Sequence, residues 1–355
     1  MQLVERAPRE PKDPSGKLLF AADHCFALKG QGSVLTGTVL NGQVSTNQLV
    51  ELPSLKLTRR VKSIQVFHEP VQRAIKGERA AMCVTQLDAD SLERGLVAEP
   101  GSIPTLKGAV GSALRVRYFK GTIASGAKFH VTIAHSTVVA TATFFCDESR
   151  PHLLGSQCIA QRAESYDPTG SYLYCSELQE EHEPPSTSDR DALQTFEHEA
   201  KGPQFVLLSF EQPIVCDPEA VFIASRLDTD VNSKTCRIAF CGKLAHQVDT
   251  SKQHNLHNLR IYKHKQRDGI VERLQDNGRS AICKGMFKRE TDLTLFMNMR
   301  VSTDTGLSGT IESTFGKSGK FRVAFNSAAE SKPSTVTLHF KRLMFDSQKK
   351  MRQDL

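Results

Sequence analysis

The chain has 355 residues, 39% hydrophobic and 24% charged, with a net charge of +7. That length suffices for two or three domains with cores of their own, and no apolar run of about eighteen residues is present to span a membrane as a helix. The nine cysteines are odd in number, scattered and without a Cys-x-x-Cys pair, which argues against a disulfide framework and a zinc ribbon and fits a reducing compartment.

Residues 1–16, MQLVERAPREPKDPSG, are rich in proline and charge, have no signal-peptide pattern and read as a linker. Residues 17–104 read as five or six short strands separated by frequent turns, enough for a small closed barrel. Asn41-Gly42, between two β-rich runs, predicts a hairpin. The stretch KGQGSVLTGTV at Lys29–Val39 crowds glycines beside a lysine, but no lysine follows Gly32 or Gly37 where a phosphate loop needs one. Val34, Thr36, Thr38 and Val39 are β-branched and favour a strand where that loop needs a helix. The glycines are therefore read as a tight turn feeding a strand.

Residues 105–248 carry a second set of β-rich runs, interrupted at 147–203 by an acidic segment rich in Ser, Glu and Pro. Such a composition predicts a largely disordered excursion that adds little core. Residues 249–355 form a third, basic β unit. TDLTLFMNMRVST reads there as a strand, LSGTIESTFGKSGKFRVAF as a glycine-turn hairpin and STVTLHFKRLMF as a closing strand. The fold class expected is all-β: three consecutive small barrels with a disordered acidic insertion in the second.

Two candidate chemistries fail at this level. His24 beside Cys25 suggests a nucleophile and its base, but neighbours on a strand point to opposite faces and no oxyanion motif accompanies them. His254 and His257 lack acidic or cysteine partners at metal-binding spacing. The basic third unit clusters Lys263, Lys265 and Arg267; Lys284, Lys288 and Arg289; Lys317, Lys320 and Arg322; and Lys341 and Arg342, with Tyr262, Phe287 and Phe321 between them. Cations interleaved with aromatics suit RNA, whose phosphates pair and whose bases stack. Core aromatics among merely solvated cations are the competing reading.

LLFAADHCFALKGQGSVLTGTV, followed by VKSIQVFHEPVQRAIKGERAAMCVTQLDADSLERGLV, resembles domain two of translational GTPases of the elongation factor Tu type. DHCFALKGQG, and later SRLDTDVNSKTCRIAFCGKL, GIVERL, FGKSGKF and HFKRLMFD, are similar to the eukaryotic selenocysteine-specific branch. The resemblance implies domains two to four of such a factor without its N-terminal G-domain. It implies a chain that binds selenocysteinyl-tRNA and delivers it to the ribosome at UGA codons. Its domain four would meet the selenocysteine insertion (SECIS) RNA and a SECIS-binding protein. No membrane is implied. The setting is the cytoplasm, with the nucleus as a second compartment. In the family GTP and magnesium are held by the G-domain; no cofactor is expected in this chain, and GTP hydrolysis is not expected from it by itself.

The resemblance also implies an aminoacyl pocket at Asp23, His24 and Arg79. A selenol is more acidic than a thiol, whose pKa is about 8.5, so selenocysteine arrives as an anion while serine stays neutral. A cationic pocket of Arg79 and His24 would separate the two by charge, with Asp23 facing His24 or the amino group. Residues 23 and 24 can line one pocket only if the strand ends or bulges there. Two other functions stand beside this one: a protein-interaction module that docks a SECIS-binding protein or the ribosome without touching RNA, and a nucleotide hydrolase, which the missing phosphate loop disfavours.

Overall fold

The structure, a computed structural model, describes residues 15–29, 32–149, 159–180, 202–227, 235–316, 319–329, 331–346 and 351–353. The strands are β1 (Leu19–Leu28), β2 (Gly32–Asn41), β3 (Gln43–Ser45), β4 (Leu49–Leu52), β5 (Leu57–Val66), β6 (Glu69–Val71), β7 (Arg73–Ile75), β8 (Arg79–Val84), β9 (Gly95–Ala98), β10 (Thr105–Ser112), β11 (Leu114–Arg115), β12 (Lys128–Ile133) and β13 (Ser136–Cys146). After a short helix α1 (Ile159–Glu164) come β14 (Ser171–Cys175), β15 (Gln204–Val215), β16 (Val221–Ser225) and β17 (Ile238–Gln247). The last set is β18 (Arg260–Gln275), β19 (Ser280–Lys284), β20 (Arg300–Thr303), β21 (Ser308–Phe315), β22 (Lys320–Phe325), β23 (Thr335–Leu343) and β24 (Met351–Arg352).

Three rings close. The first runs β4-β9-β1-β2-β8-β5 and back to β4, the second β12-β16-β17-β10-β15-β13 and back to β12, the third β18-β19-β22-β21-β20-β23 and back to β18. Closure pairs the edge strands of each sheet, and the all-β expectation of three barrels holds. The first barrel is filled by Phe20, Leu35, Val39, Val50, Leu52, Val61, Ile64, Met82 and Val97, whose side chains point inward from the ring of strands. The third is filled by Phe287, Phe296, Phe321, Val323, Val336 and Leu338.

Local readings needed two corrections. Asn41-Gly42 is not the turn of a hairpin: β2 is already flanked by β1 and β8, so the chain turns at Gly42 (φ 62°) into β3, which pairs with β7. The stretch TDLTLFMNMRVST is a strand only from Arg300. Its first half is a 3-10 turn over Leu293–Phe296, capped by the Asp292 side chain accepting from the Thr294 N–H.

The chain divides into two compact units. One holds the chain to Ala142, α1 and Val206–Asp249; the other takes the end of β13 from Thr143, the chain from Ser165 to Phe205, and everything from Thr250. The acidic segment thus departs from expectation over its described part, while 150–158 and 181–201 lie outside the described residues. Within the second unit β14 pairs antiparallel with the end of β13 (Phe144 opposite Cys175) and parallel with β18 (Tyr172 opposite Ile261). Tyr166 and Tyr172 stack at 5.3 Å and pack with Phe145 and Phe205 at centroid distances of 5.3 to 5.8 Å, Tyr166–Phe145 being wider at 6.3 Å. The net charge of the segment hid this aromatic cluster, whose members are buried.

We expect Tyr172→Ala to destabilise the protein by about 3–5 kcal/mol, the usual loss for a buried aromatic. Glu177→Ala, on the exposed chain beyond β14, should shift the denaturation midpoint by nothing measurable. Equal midpoints for the two variants would restore the disordered reading of 159–180.

Candidate functional site

The glycine of the KGQGSVLTGTV stretch that matters is Gly37. It pairs with Ala22 across the β1–β2 ladder, and a Cβ built on it would lie 2.0 Å from the Ala21 carbonyl oxygen and 2.9 Å from the Ala22 Cα. No side chain fits that approach, so the two backbones meet here only because residue 37 is glycine. Gly30 and Gln31 lie outside the described residues.

At the same point the ladder slips. Ala22 faces Gly37 and His24 faces Thr36, which leaves Asp23 as an extra residue in a β-bulge. The burial pattern records the change of phase. Phe20 and Ala22 point into the barrel, Asp23 is half-buried, His24 is exposed, and Cys25 returns to the core. Asp23 and His24 therefore both leave the interior face. The condition that adjacency imposed on these two residues is met.

Arg79 opens β8 opposite Thr38, one strand further on. The turn before it is tight: Gly77 has φ 82° and donates its N–H to the Val39 carbonyl at 2.8 Å, while the Glu78 carboxylate accepts from the Ile75 N–H at 3.0 Å. Arg79 reaches back over β2, and its Nη2 meets Asp23 Oδ2 at 2.6 Å. The Thr36 hydroxyl donates to Asp23 Oδ1 at 3.1 Å. Partial burial opposes ionisation of Asp23, but the hydrogen bonds from Arg79 and Thr36, with the charges of Arg79 and His24, outweigh it and hold the carboxyl below its usual range. Arg79 remains 57% exposed along its side chain, so part of its guanidinium faces solvent. The three residues named from the sequence thus share one surface. Thr36 completes the set, and only its place opposite the bulge would have pointed to it.

The cations of the third barrel behave differently. Glu272 takes Lys320 at 2.7 Å and Lys284 at 3.4 Å, and these ammoniums hold its carboxyl below the usual range. Arg322 pairs with Asp276 and, at 3.3 Å, with Glu312. Arg267 lies over the rings of Phe296 at 4.9 Å and Phe287 at 5.5 Å. Lys263 sits 3.7 Å from the Tyr174 ring centroid and Lys341 4.4 Å from that of Tyr262. Lys265, Lys288, Arg289 and Arg342 are exposed, and Lys317 lies outside the described residues. Tyr262, Phe287 and Phe321 are buried, so they are core and offer no stacking platform. The β18–β23 register also splits the clusters: Lys263 opposes Arg342 and His264 opposes Lys341, on alternate faces.

Among the described residues no group of His, Cys, Asp and Glu is arranged to hold a metal, and no helix is long and apolar enough to cross a membrane.

The molecule has recognisable relatives. Residues 110–242 match the family described as selenocysteine-specific elongation factor, eukaryotes, third domain, and residues 257–334 match the eEFSec C-terminal RIFT domain. A selenocysteine-specific elongation factor of Mus musculus is 37% identical over 384 aligned residues, covering 96% of this chain and 65% of the mouse protein. One from Methanocaldococcus jannaschii is 31% identical over 132 residues, 37% of this chain and 28% of that protein. In fold, the apo crystal structure of translation elongation factor SelB from Methanococcus maripaludis superposes with a TM-score of 0.68 at 20% identity, covering 95% of this chain and 62% of that one. The same factor in complex with the GTP analogue GppNHp gives 0.62 at 20% identity, covering 94% and 64%. This chain therefore spans a little under two thirds of the proteins it matches along nearly its whole length, and it belongs to the selenocysteine-specific elongation factor family.

Proposed function

We propose that the chain is the part of a selenocysteine-specific elongation factor that holds the aminoacyl end of selenocysteinyl-tRNA, and that the Asp23–His24–Arg79 surface reads the amino acid. The bulge at Asp23 carries this reading, since it takes two adjacent side chains off the interior face and brings the first of them to Arg79. An aminoacyl ester of selenocysteine offers an ammonium and a selenolate. The Asp23–Arg79 pair offers the complementary charges, so the ligand exchanges one ion pair for two. Serine offers only the ammonium. It would draw Asp23 away and leave Arg79 without an anion, a loss that falls on seryl-tRNA alone.

Delivery to the ribosome for reading of UGA, and contact of the third barrel with SECIS RNA or its binding protein, belong to the same proposal, with the cytoplasm as the setting. The exposed Lys265, Lys288, Arg289 and Arg342 are the cations of that barrel best placed for such contact. Docking to a protein without RNA is supported by a separate observation: Lys284, Lys320 and Arg322 already satisfy local carboxylates.

Three measurements test the pocket. In a protein carrying a G-domain and loaded with GTP, Arg79→Ala should weaken selenocysteinyl-tRNA by about 1–3 kcal/mol, the range for a charge-assisted hydrogen bond, or about ten- to a hundredfold. Seryl-tRNA should lose far less, and Arg79→Lys should keep part of the preference because the charge survives without the fork. Equal losses for both ligands would reduce Arg79 to support of the barrel.

The Gly37 approach makes a second prediction. Gly37→Ala must part β1 from β2 and should cost about 3 kcal/mol or more, the upper end for an overfilled site. Chemical denaturation measures it, and a midpoint equal to that of the unaltered protein would show that the bulge does not depend on the glycine.

The third concerns acid. A carboxyl whose folded pKa is lowered contributes stability that is full above its unfolded pKa, about 3.9 for Asp, and is lost as pH falls through the folded value. The stability curve of the protein from about pH 5 down to about pH 2 should therefore flatten in Asp23→Asn. An unchanged slope there would mean that the Arg79 pair is absent in solution.

A further inference from the structure

The arginines of β5 are held in a way found at none of the predicted sites. Arg59 donates its Nε–H to the Gln86 carbonyl at 2.8 Å and an Nη1–H to the Thr58 carbonyl at 2.9 Å. Arg60 donates an Nη1–H to the Asn47 carbonyl at 2.8 Å. Asn47 and Gln86 both have left-handed backbones, φ 67° and 51°, a conformation non-glycine residues adopt at a cost. The backbone strain at these two residues presents carbonyls to the two guanidiniums. Among the described residues neither arginine meets a carboxylate. The acid on the neighbouring strand, Glu51 opposite Thr58, takes the Gly101 N–H at 2.5 Å instead.

The strand around them is phased by a second bulge. Val61 pairs with Val84 and Ser63 with Cys83, so Lys62 is the extra residue and Val61 and Ile64 both remain in the core. Lys62 and Ser63 then share the outer face, and that face reads Thr58, Arg60, Lys62, Ser63, all exposed. Hydroxyl, cation, cation and hydroxyl follow one another along about 17 Å of extended chain at the usual rise.

We infer that the outer face of β5 is an RNA-binding surface that takes the phosphodiester backbone without reading bases. It rests on the proposal that this chain handles RNA, and names a place for that contact outside the aminoacyl pocket. A fixed guanidinium, an ammonium and flanking hydroxyls are the side chains that contact nucleic-acid phosphates, and carbonyl anchoring restricts the Arg60 side chain without spending its charge. A protein partner would be expected to find a buried apolar anchor; the outer row of the strand itself carries no apolar side chain, and the exposed Leu49 opposite Arg60 belongs to the neighbouring β4. The third-barrel cations contrast with Arg60, since Lys284, Lys320 and Arg322 already have carboxylates of their own.

The test is equilibrium binding of the full chain to a short, uncharged-ended RNA duplex without any aminoacyl group, across about 50 to 200 mM salt. Arg60→Gln with Lys62→Gln should lower the slope of log affinity against log salt by about two units, one per lost contact. Arg60→Lys should keep most of the slope, and Lys120→Gln, which removes an exposed cation away from β5, should leave it unchanged. Because the amide introduced by Arg60→Gln can still donate to the Asn47 carbonyl, folding should survive. A thermal midpoint within about a degree or two of the parent confirms that a lost slope is lost contact. A slope unchanged in Arg60→Gln/Lys62→Gln overturns the inference, and so does displacement of the duplex by polyglutamate as readily as by a second RNA, which would mark an acidic-protein surface. Failure here would leave the Arg79 experiment untouched, because that one compares two ligands with the same RNA.

Discussion

The first barrel depends on the distance between two backbones. At Gly37 the β1 and β2 chains lie closer than any side chain allows, and the ladder beside that approach absorbs an extra residue. The bulge changes the phase of β1, and every consequence for the surface follows from it. The core keeps Ala22 and Cys25, the solvent side gains Asp23 and His24, and Arg79 finds a carboxylate within reach. A regular β1 would have sent one of the two residues into the barrel, where an unpaired charge is far too costly to keep. β5 uses the same device at Lys62. In both strands an inserted residue places two polar side chains side by side while the apolar pattern on either side is preserved.

Charge alone does not mark where a basic protein meets an anion; the partner of each cation has to be known. The third barrel is the more basic by composition, yet three of its cations are drawn into pairs with Glu272, Asp276 and Glu312. Exposed pairs of this kind contribute little stability each, but they lower the field available to a distant ligand. On β5 the guanidiniums are tied to neutral carbonyls, which order the side chain and leave its full charge outward. Arg79 is intermediate, since its carboxylate partner is itself a group that a ligand's ammonium would draw away.

Much of this was legible in the residues and the rest was not, for identifiable reasons. Short β-rich runs and frequent turns are local signals, and they suffice for three barrels. The family resemblance carried by the stretch around Gly37 implied the candidate pocket, and the adjacency of Asp23 and His24 required the strand to end or bulge there. Local signals failed where an outcome depended on a distant strand. Asn41-Gly42 has the chemistry of a hairpin, but β2 had no free edge for a returning strand. Leu293–Phe296 is apolar enough for a strand, but the Asp292 cap closes it into a turn. The alternation of basic and aromatic residues after 260 suggested stacking platforms. In a closed barrel strict alternation puts the aromatics inside, and the very regularity that suggested RNA binding is the mark of a core.

The acidic segment shows the same limit at a larger scale. Its mean composition, rich in Glu, Ser and Pro, argues against a core, yet four rings from as far apart in the chain as Phe145 and Phe205 meet around Tyr172. Once Tyr166 and Tyr172 are seated, β14 has a hydrophobic reason to lie between the end of β13 and β18, and Lys263 gains the Tyr174 ring as a neighbour. Glu148 then accepts from the Tyr262 hydroxyl at 2.7 Å and lies 3.1 Å from His264, and burial with this bond pushes the Tyr262 phenol well above its ordinary range. A segment interrupting one barrel in sequence is thus built into the unit of another. Averaging charge over the whole segment conceals this, because burial is decided by the few positions where rings can meet and not by the mean.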